Sequence, residues 1–332
     1  MILHALSSVF GAATTWRRQW YAADPARRRR LAKPVVSIGN LRVGGSGKTP
    51  IVAHVARLLR DNGMRPAVLT RGYGRVRSSD GVTVVSDGET VLSDVAHAGD
   101  EPLMLARELP GVPVLVGANR YLSGLLAERR FGATVHVLDD GFQHVGLERD
   151  VDLVLVDEED LSDKPMPEGR LREPLTAATL ADALLVNAGY TTAAERIGRA
   201  FGKPTVFRVT RSLSAPRVVA NGDSVVVPTG ARVFVLAGIA RPERFLSDIT
   251  AVGWQIVGTL IFRDHHQFTP RDIQRLAAAA KAAASAVVLT TEKDAVRLGG
   301  YTIDGIPIAA VPLAVGVEPA DAFRDWLLRK LT

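Results

Sequence analysis

One stretch limits what this chain can fold into more than any other: residues 38–59, IGNLRVGGSGKTPIVAHVARLL. An apolar run ends in a glycine-rich turn, a Lys-Thr pair follows, and apolar residues then recur at helical spacing. A strand that feeds a helix through such a turn belongs to a parallel sheet, whose neighbouring strands need crossover connections. The turn also suits an anion, because free N–H groups at a helix N-terminus and the helix dipole favour negative charge. Gly44, Gly45 and Gly47 let the backbone approach phosphate oxygens without a Cβ in the way. The candidates for nucleotide contact are Gly44, Gly45, Ser46, Gly47, Lys48, Thr49 and Pro50. Lys48 can bridge β- and γ-phosphates, and Thr49 can hold Mg2+. The spacing departs from the common loop, G-x-x-x-x-G-K-[ST], because Arg42 stands where its first glycine belongs. Either Gly39 opens a variant loop three residues early, or the segment is an ordinary glycine-rich turn.

The alternation continues along the chain. KPVVSIGN, RPAVLTRG, GVPVLVG, ATVHVLDDG, VDLVLVD and ADALLVN read as short buried strands, with helices over 49–61, 101–109 and 120–130. At 211–229 the character changes to RSLSAPRVVANGDSVVVPTG, a β-hairpin turning at Asn221-Gly222 that can serve as a linker. A second alternation follows: RVFVLAGI, a helix from Pro242, WQIVGTLIF, an alanine-rich helix over 270–284, AVVLTT and IPIAAV. With 332 residues, two units are expected. The boundaries read as an N-terminal segment 1–33, a P-loop nucleotide-binding domain 34–210, a β-hairpin linker 211–230 and a smaller α/β domain 231–332.

A phosphate loop needs an acidic partner at the end of a neighbouring strand, and VHVLDDG supplies Asp139 and Asp140 there. Open α/β sheets bind ligands at that edge, although acids before a glycine are also common in plain turns. Other polar clusters mostly follow strands or lie in loops: TRGYGR (70–75), GDEP (99–102), GFQH (141–144), EGRLREP (168–174) and FRDHHQF (262–268). Asp100 can be a reactive carboxylate or only an N-cap, with Pro102 in the first turn of its helix. His265 and His266 lack a cysteine or a spaced third histidine, so acid/base work fits them better than zinc.

The N-terminal segment is distinctive. Ile2, Leu6, Val9, Ala13, Trp16 and Trp20 recur at steps of 4, 3, 4, 3 and 4, which is one helical face. The apolar part is too short for a membrane span of about 20 residues, and its charges follow rather than precede it, unlike a signal peptide. Arg17, Arg18, Arg27, Arg28, Arg29, Arg30 and Lys33 against Asp24 account for the whole formal charge of +6. The remainder is neutral overall, so no general nucleic-acid-binding surface is indicated. The segment reads as a helix lying on an anionic membrane surface, or as an amphipathic helix packed on the protein's own core. The absence of cysteine excludes disulfides and thiolate metal sites and fits a cytosolic setting.

Taken together, GNLRVGGSGKTP, TRGYGR, GDEP, DDGFQH, LREP, AGIARPERF, FRDHHQF and TTEKDAVRL resemble the tetraacyldisaccharide 4′-kinase (lipid A 4′-kinase) family, in order and over most of the chain. The family's loop resembles GN-x3-GG-x-GKT, in which Arg42 is normal. The resemblance implies two α/β/α sandwich domains, the first a P-loop NTPase-like parallel sheet, joined by a two-stranded β linker with the active site in the cleft. It implies transfer of phosphate from ATP, with Mg2+, to the 4′-hydroxyl of a tetraacylated glucosamine disaccharide 1-phosphate. It further implies a monotopic enzyme at the cytoplasmic face of the inner membrane. Asp100 is then the base and His265 its partner, with Lys48 as a further catalytic residue. Thr49, Glu101, Asp139 and Asp140 are the metal candidates, not separable from one another by sequence. Arg71, Gln143, His144, Arg172 and Glu173 are the acceptor-binding candidates.

Two rivals belong to other classes. A regulatory or assembly P-loop ATPase or GTPase would carry a signature lysine just before the glycine pair, where this chain has Val43. Guanine readers use [NT]-K-x-D, and TEKD at 291–294 places its lysine one position late, so ATP is favoured. A non-enzymatic membrane-associated protein would leave the acidic pair and the Asp/His set without a purpose.

Overall fold

A computed structural model describes residues 2–45, 47–72, 75, 77, 81–203 and 205–332. In chain order the elements are α1 (Ile2–Ala22), β1 (Val35–Asn40), α2 (Lys48–Asp61), β2 (Pro66–Thr70), β3 (Thr83–Ser86), α3 (Val95–Ala98), α4 (Asp100–Glu108), β4 (Val114–Val116), α5 (Arg120–Phe131) and β5 (Val135–Asp139). There follow β6 (Val151–Val156), β7 (Ala183–Asn187), α6 (Thr191–Ala200), β8 (Val206–Leu213), β9 (Arg217–Val218), β10 (Arg232–Ala237), α7 (Pro242–Ala251) and β11 (Gln255–Ile261). The last are α8 (Pro270–Ala282), β12 (Val287–Thr291), α9 (Glu292–Leu298), β13 (Ile308–Val311), β14 (Leu313–Glu318) and α10 (Ala320–Leu331).

A nine-stranded sheet has the order β14-β8-β7-β6-β1-β5-β2-β4-β3, parallel from β8 to β4 with an antiparallel strand at each edge. Its central strands β1 and β6 are buried along their whole length and rich in Val, Ile and Leu, because both of their faces are covered. Successive side chains enter opposite cores. Val36 and Ile38 pack with Ile51 of α2, Leu103 of α4 and Phe323 of α10. Val154 and Val156 pack with Ile197 of α6, and Leu69 and Leu138 with Ala127 of α5. A five-stranded sheet, β11-β10-β12-β13-β9, repeats the plan. Val233 and Val235 face Phe245 and Ile249 of α7, whereas Phe234 and Leu236 face Ile273 and Leu276 of α8. The expected pair of α/β/α sandwiches is therefore present.

The connection between the sandwiches is built differently from the local hairpin expected at 211–230. Asn221-Gly222 does turn, with Gly222 at φ 78°, but the flanking segment gives only β9 and an isolated bridge between Arg217 and Ser224. β9 joins the second sheet by pairing with β13. The two-stranded connection is β8 with β14, antiparallel from Arg208 opposite Glu318 to Leu213 opposite Leu313. The chain thus returns from the second sheet, and β14 and α10 complete the first unit rather than the 231–332 unit. Their apolar residues, Val317, Phe323 and Leu327, belong to the core around α2.

α1 packs by its small and polar face, burying Ser7, Gly11 and Arg18. The apolar stripe is left outside: Ile2 is 79%, Val9 67% and Trp16 66% exposed. Packing of that stripe on the protein's own core is thereby overturned. No helix among the described residues is long and apolar enough to cross a membrane.

Candidate active site

β1 lies where the strand order reverses direction from the first crossover, the place where open α/β sheets bind ligands. β5 is its parallel neighbour, with Ile38 opposite Asp139. The phosphate loop and the acidic pair consequently emerge side by side. α2 starts at Lys48 after Gly47, which sits at φ 79° and caps the helix without any side chain. The N-terminal amides of α2 are thus not covered by a capping side chain, as an anion site requires. Thr49 and Pro50 are half-buried in the first turn, and Gly44 and Gly45 are exposed. Ser46 lies outside the described residues.

The turn after β5 is pressed onto β1. A Cβ on Gly39 would lie 2.4 Å from the Cβ of Phe142 and 2.9 Å from its backbone nitrogen. This close approach holds Asp140 at φ 54°, a left-handed conformation uncommon for a residue with a side chain. Asp140 there accepts two bonds from Arg172, at 2.7 and 2.8 Å, and lies 3.4 Å from Lys48 Nζ. Burial alone would raise its pKa, but the Arg172 bonds and the Lys48 charge hold it below the usual carboxylate range. Lys48 also donates to Asn40 Oδ1 at 3.0 Å, and Arg172 donates to the carbonyl of Asn40 at 3.2 Å.

Asp139 is in the opposite state. It is 4% exposed and accepts a bond from Thr70 Oγ1 at 3.1 Å. Burial, then the charges of Glu101 and Asp140, push its pKa up to about 7. Two adjacent carboxylates are thus driven apart, one by cations and one by burial beside acids.

The second unit closes this edge. His265, at φ 60° in the loop after β11, donates from Nδ1 to Asp100 Oδ2 at 2.9 Å. Asp100 is 4% exposed and opens α4, while Gly99 is the N-cap. Burial would raise the Asp100 pKa, but the His265 bond and the charges of Lys293, His265 and Arg297 lower it on balance. The neighbouring His266 is engaged elsewhere, bonded to Asp272 at 3.1 Å and stacked on Phe262. The structure therefore separates the two histidines that the sequence left together.

Among the acceptor candidates, Gln143 donates to the carbonyl of Asn40 at 3.0 Å, and its buried Oε1 has no protein partner. His144 is driven down to about 4 by burial and then by Arg120, Arg149, Arg17 and Arg71, so it is neutral within a cationic group. Arg71 itself is exposed; Tyr73 and Gly74 of TRGYGR lie outside the described residues. Glu173 is buried, and each of its oxygens accepts from Arg18 at 2.9 Å. That pairing anchors α1 and leaves the reading of Glu173 as an acceptor contact without support in the geometry.

Three site residues escaped the sequence reading. Lys293, in the first turn of α9, lies 3.1 Å from Glu101, 3.2 Å from Asp264 and 3.3 Å from His265 Nε2. Arg297 lies 3.6 Å from Asp100 and bonds Asp294. Arg120, buried after β4, is lowered to about 10 by burial and by Arg71, against Asp139 and Asp140. A signal existed for Arg120, since it opens a helix after a strand ending at the same sheet edge. Lys293 and Arg297 lay within TTEKDAVRL, where no spacing rule ties them to residues about 190 positions earlier.

A model of the tetraacyldisaccharide-1-P 4′-kinase family matches residues 1–332. The chain belongs to this family. A tetraacyldisaccharide 4′-kinase of Koribacter versatilis is 38% identical, covering 98% of this chain and 98% of that one. One from Syntrophus aciditrophicus is 34% identical over 100% of this chain and 93% of its own. A crystal structure of LpxK from Aquifex aeolicus in complex with ATP superposes with a TM-score of 0.79 at 30% identity, covering 99% and 98% of the two chains. As a tetraacyldisaccharide 4′-kinase family member, the chain is an ATP-dependent phosphotransferase with an alcohol acceptor, in lipid A biosynthesis. The regulatory NTPase reading is not favoured.

Proposed function

We propose that the cleft transfers the γ-phosphoryl group of ATP to the 4′-hydroxyl of a tetraacylated glucosamine disaccharide 1-phosphate, with Asp100 as base. The observation that carries this reading is the Asp100–His265 contact, made by two units and facing a phosphate loop with an uncapped helix N-terminus. The hydroxyl proton passes to Asp100 as the oxygen attacks the γ-phosphorus. The bond from that phosphorus to the β–γ bridging oxygen breaks, and ADP leaves. His265 orients the carboxylate, and Lys48 neutralises charge that builds on the phosphate oxygens in the transition state.

The donor set also fits Mg2+. Asp139 is a buried carboxylate destabilised by Asp140 and Glu101, which a nearby dication would relieve. Among the described residues no three acidic or histidine side chains stand close enough together to hold a metal by themselves, so from Thr49, Asp139, Asp140 and Glu101 only one or two would hold the ion, beside the phosphates of ATP, and Asp140 is already partnered by Arg172. When bound, the ion would neutralise phosphate charge and orient the γ-phosphoryl group. The cationic surroundings of His144, including Arg71 and Arg120, suit the acceptor's phosphate, while Gln143 Oε1 can accept only from a hydroxyl or N–H of the sugar.

The acceptor carries several acyl chains and resides in a membrane. The exposed stripe of α1 is the surface that would meet it, at the cytoplasmic face of the inner membrane. Arg17, Arg28 and Arg29 would face anionic headgroups; Arg27 is already paired with Asp24, and Arg30 with Glu148 and Asp150. ATP turnover with and without the lipid acceptor in detergent micelles tests the reading. Turnover should require the acceptor and fall roughly 10²-fold or more in Lys48→Ala and in Thr49→Ala. Acceptor-independent turnover, or variants within a few-fold of wild type, would refute it.

A further inference from the structure

Arg42 stands where the common phosphate loop has glycine, and the mechanism above gives it no task. Its guanidinium is buried, with a 2% exposed side chain, and is bonded to the segment after β6. It bonds Asp157 and lies 3.1 Å from Asp160 and 3.3 Å from Glu159. Its backbone is held too: the loop pairs with the LREP segment through Val43 N to the carbonyl of Arg170 and Arg172 N to the carbonyl of Leu41.

Asp157 is shared with the second unit. It accepts from Arg244 of α7 at 2.8 Å and lies 3.6 Å from Arg241, which also reaches Glu159 at 3.6 Å. The residue before them, Ala240, rests against the loop: a Cβ on Gly45 would be 3.3 Å from the Cβ of Ala240. Three guanidiniums thus meet three carboxylates where the phosphate loop, the end of β6 and the second sandwich adjoin. A buried charge is costly to leave without its partner. If the second unit lifts, Asp157 loses Arg241 and Arg244; if the loop shifts, Asp157 and Asp160 lose Arg42. Each arrangement therefore favours the other.

We infer that Asp157 couples the seating of the second unit to the phosphate loop, and that Arg42 is a positioning residue through which Arg241 and Arg244 set ATP affinity. This rests on the nucleotide-site reading of the loop. By linkage, ATP must favour the seated arrangement by the same factor.

The test is equilibrium titration of the full chain with a fluorescent ATP analogue, beside thermal melting and steady-state kinetics. Arg241→Gln/Arg244→Gln should bind about tenfold more weakly, a usual size for coupled sites. KM for ATP should rise more than kcat falls. Asp157→Asn should lose a similar amount, and the combined variant should be no worse than its worse parent. Additive losses would overturn the inference, since the two arginines would then act on the nucleotide themselves. Unchanged affinity with a lowered melting temperature would also overturn it, as the network would then serve stability alone. Should Asp157→Asn fail to fold, Arg42→Lys replaces it, keeping the charge and losing the planar fork; its loss must overlap that of the arginine pair in the same way. Absence of binding by the wild-type chain would overturn the nucleotide-site reading, and this inference with it.

Discussion

Asp100→Ala and His265→Ala, singly and together, test whether the base is assembled from two units. Asp100 is nearly inaccessible, and His265 Nδ1 reaches its carboxylate at 2.9 Å from the other sandwich. Removing a general base typically costs about 10²–10⁴-fold in rate, or roughly 3–5 kcal/mol of barrier. The burial of Asp100 means the same change also leaves Arg297, at 3.6 Å, and His265 short of a counter-charge. A loss of stability is therefore expected as well, and must be separated from the loss of chemistry. Asp100→Asn keeps the shape, so no cavity forms, while removing the charge and the basic lone pair; the urea melts then report what the lost counter-charge alone does to stability. The assay is transfer of label from γ-labelled ATP to the acceptor in micelles, with urea melts on each variant. If the pair acts as one unit, the double variant should be little slower than the worse single variant. Losses that multiply, or an Asp100→Asn variant with near wild-type rate, would refute the reasoning.

Three further outcomes are expected. Deleting residues 1–16, which leaves the buried Arg18–Glu173 pair in place, should lower flotation with anionic liposomes while sparing ATP binding; unchanged flotation would show that the stripe of α1 is not the membrane contact. Gly39→Ala should destabilise by about 1–3 kcal/mol in urea melts, because the new methyl meets Phe142, and a neutral effect would contradict the tight turn that places Asp140. Glu292, at the junction of the units, faces Glu108 of α4, Arg57 of α2, Arg217 of β9 and the backbone N–H of Leu313 at 3.2 Å. Burial and then Glu108 raise its pKa from 4.5 to about 7, so the fold binds its proton more tightly than the unfolded chain. Stability is then fully present below about pH 4.5 and lost as the pH rises through 7, by up to about 3 kcal/mol. Glu292→Gln should flatten that part of the stability–pH curve, and an unchanged slope would remove Glu292 as the cause.

The first sheet was legible because its strands are short, mostly apolar and separated by helices with strong periodicity, as in VDLVLVD. β3 and β8 were not, since their partly exposed, mixed residues give no clear alternation. The turn at Asn221-Gly222 was read correctly as a turn, yet the strands joining the sandwiches pair across about 100 residues, which no local signal encodes. The site divides in the same way. The phosphate loop and Asp139-Asp140 follow from local chemistry at strand ends. The contacts that join Asp100 to His265, Glu101 to Lys293, and Arg42 through Asp157 to Arg244 depend on how two units seat against each other. The resemblance implied that Glu173 meets the acceptor; its buried bonds to Arg18, a partner 155 residues away, had no local signal.

The most direct measurement locates the transferred phosphate. The full chain, γ-labelled ATP, Mg2+ and tetraacyldisaccharide 1-phosphate in mixed micelles should yield a bisphosphorylated lipid with label on the 4′-oxygen. Lys48→Ala should leave that position unlabelled at matched times. Label released only as inorganic phosphate, or attached to the acceptor elsewhere, would contradict phosphoryl transfer to the 4′-hydroxyl.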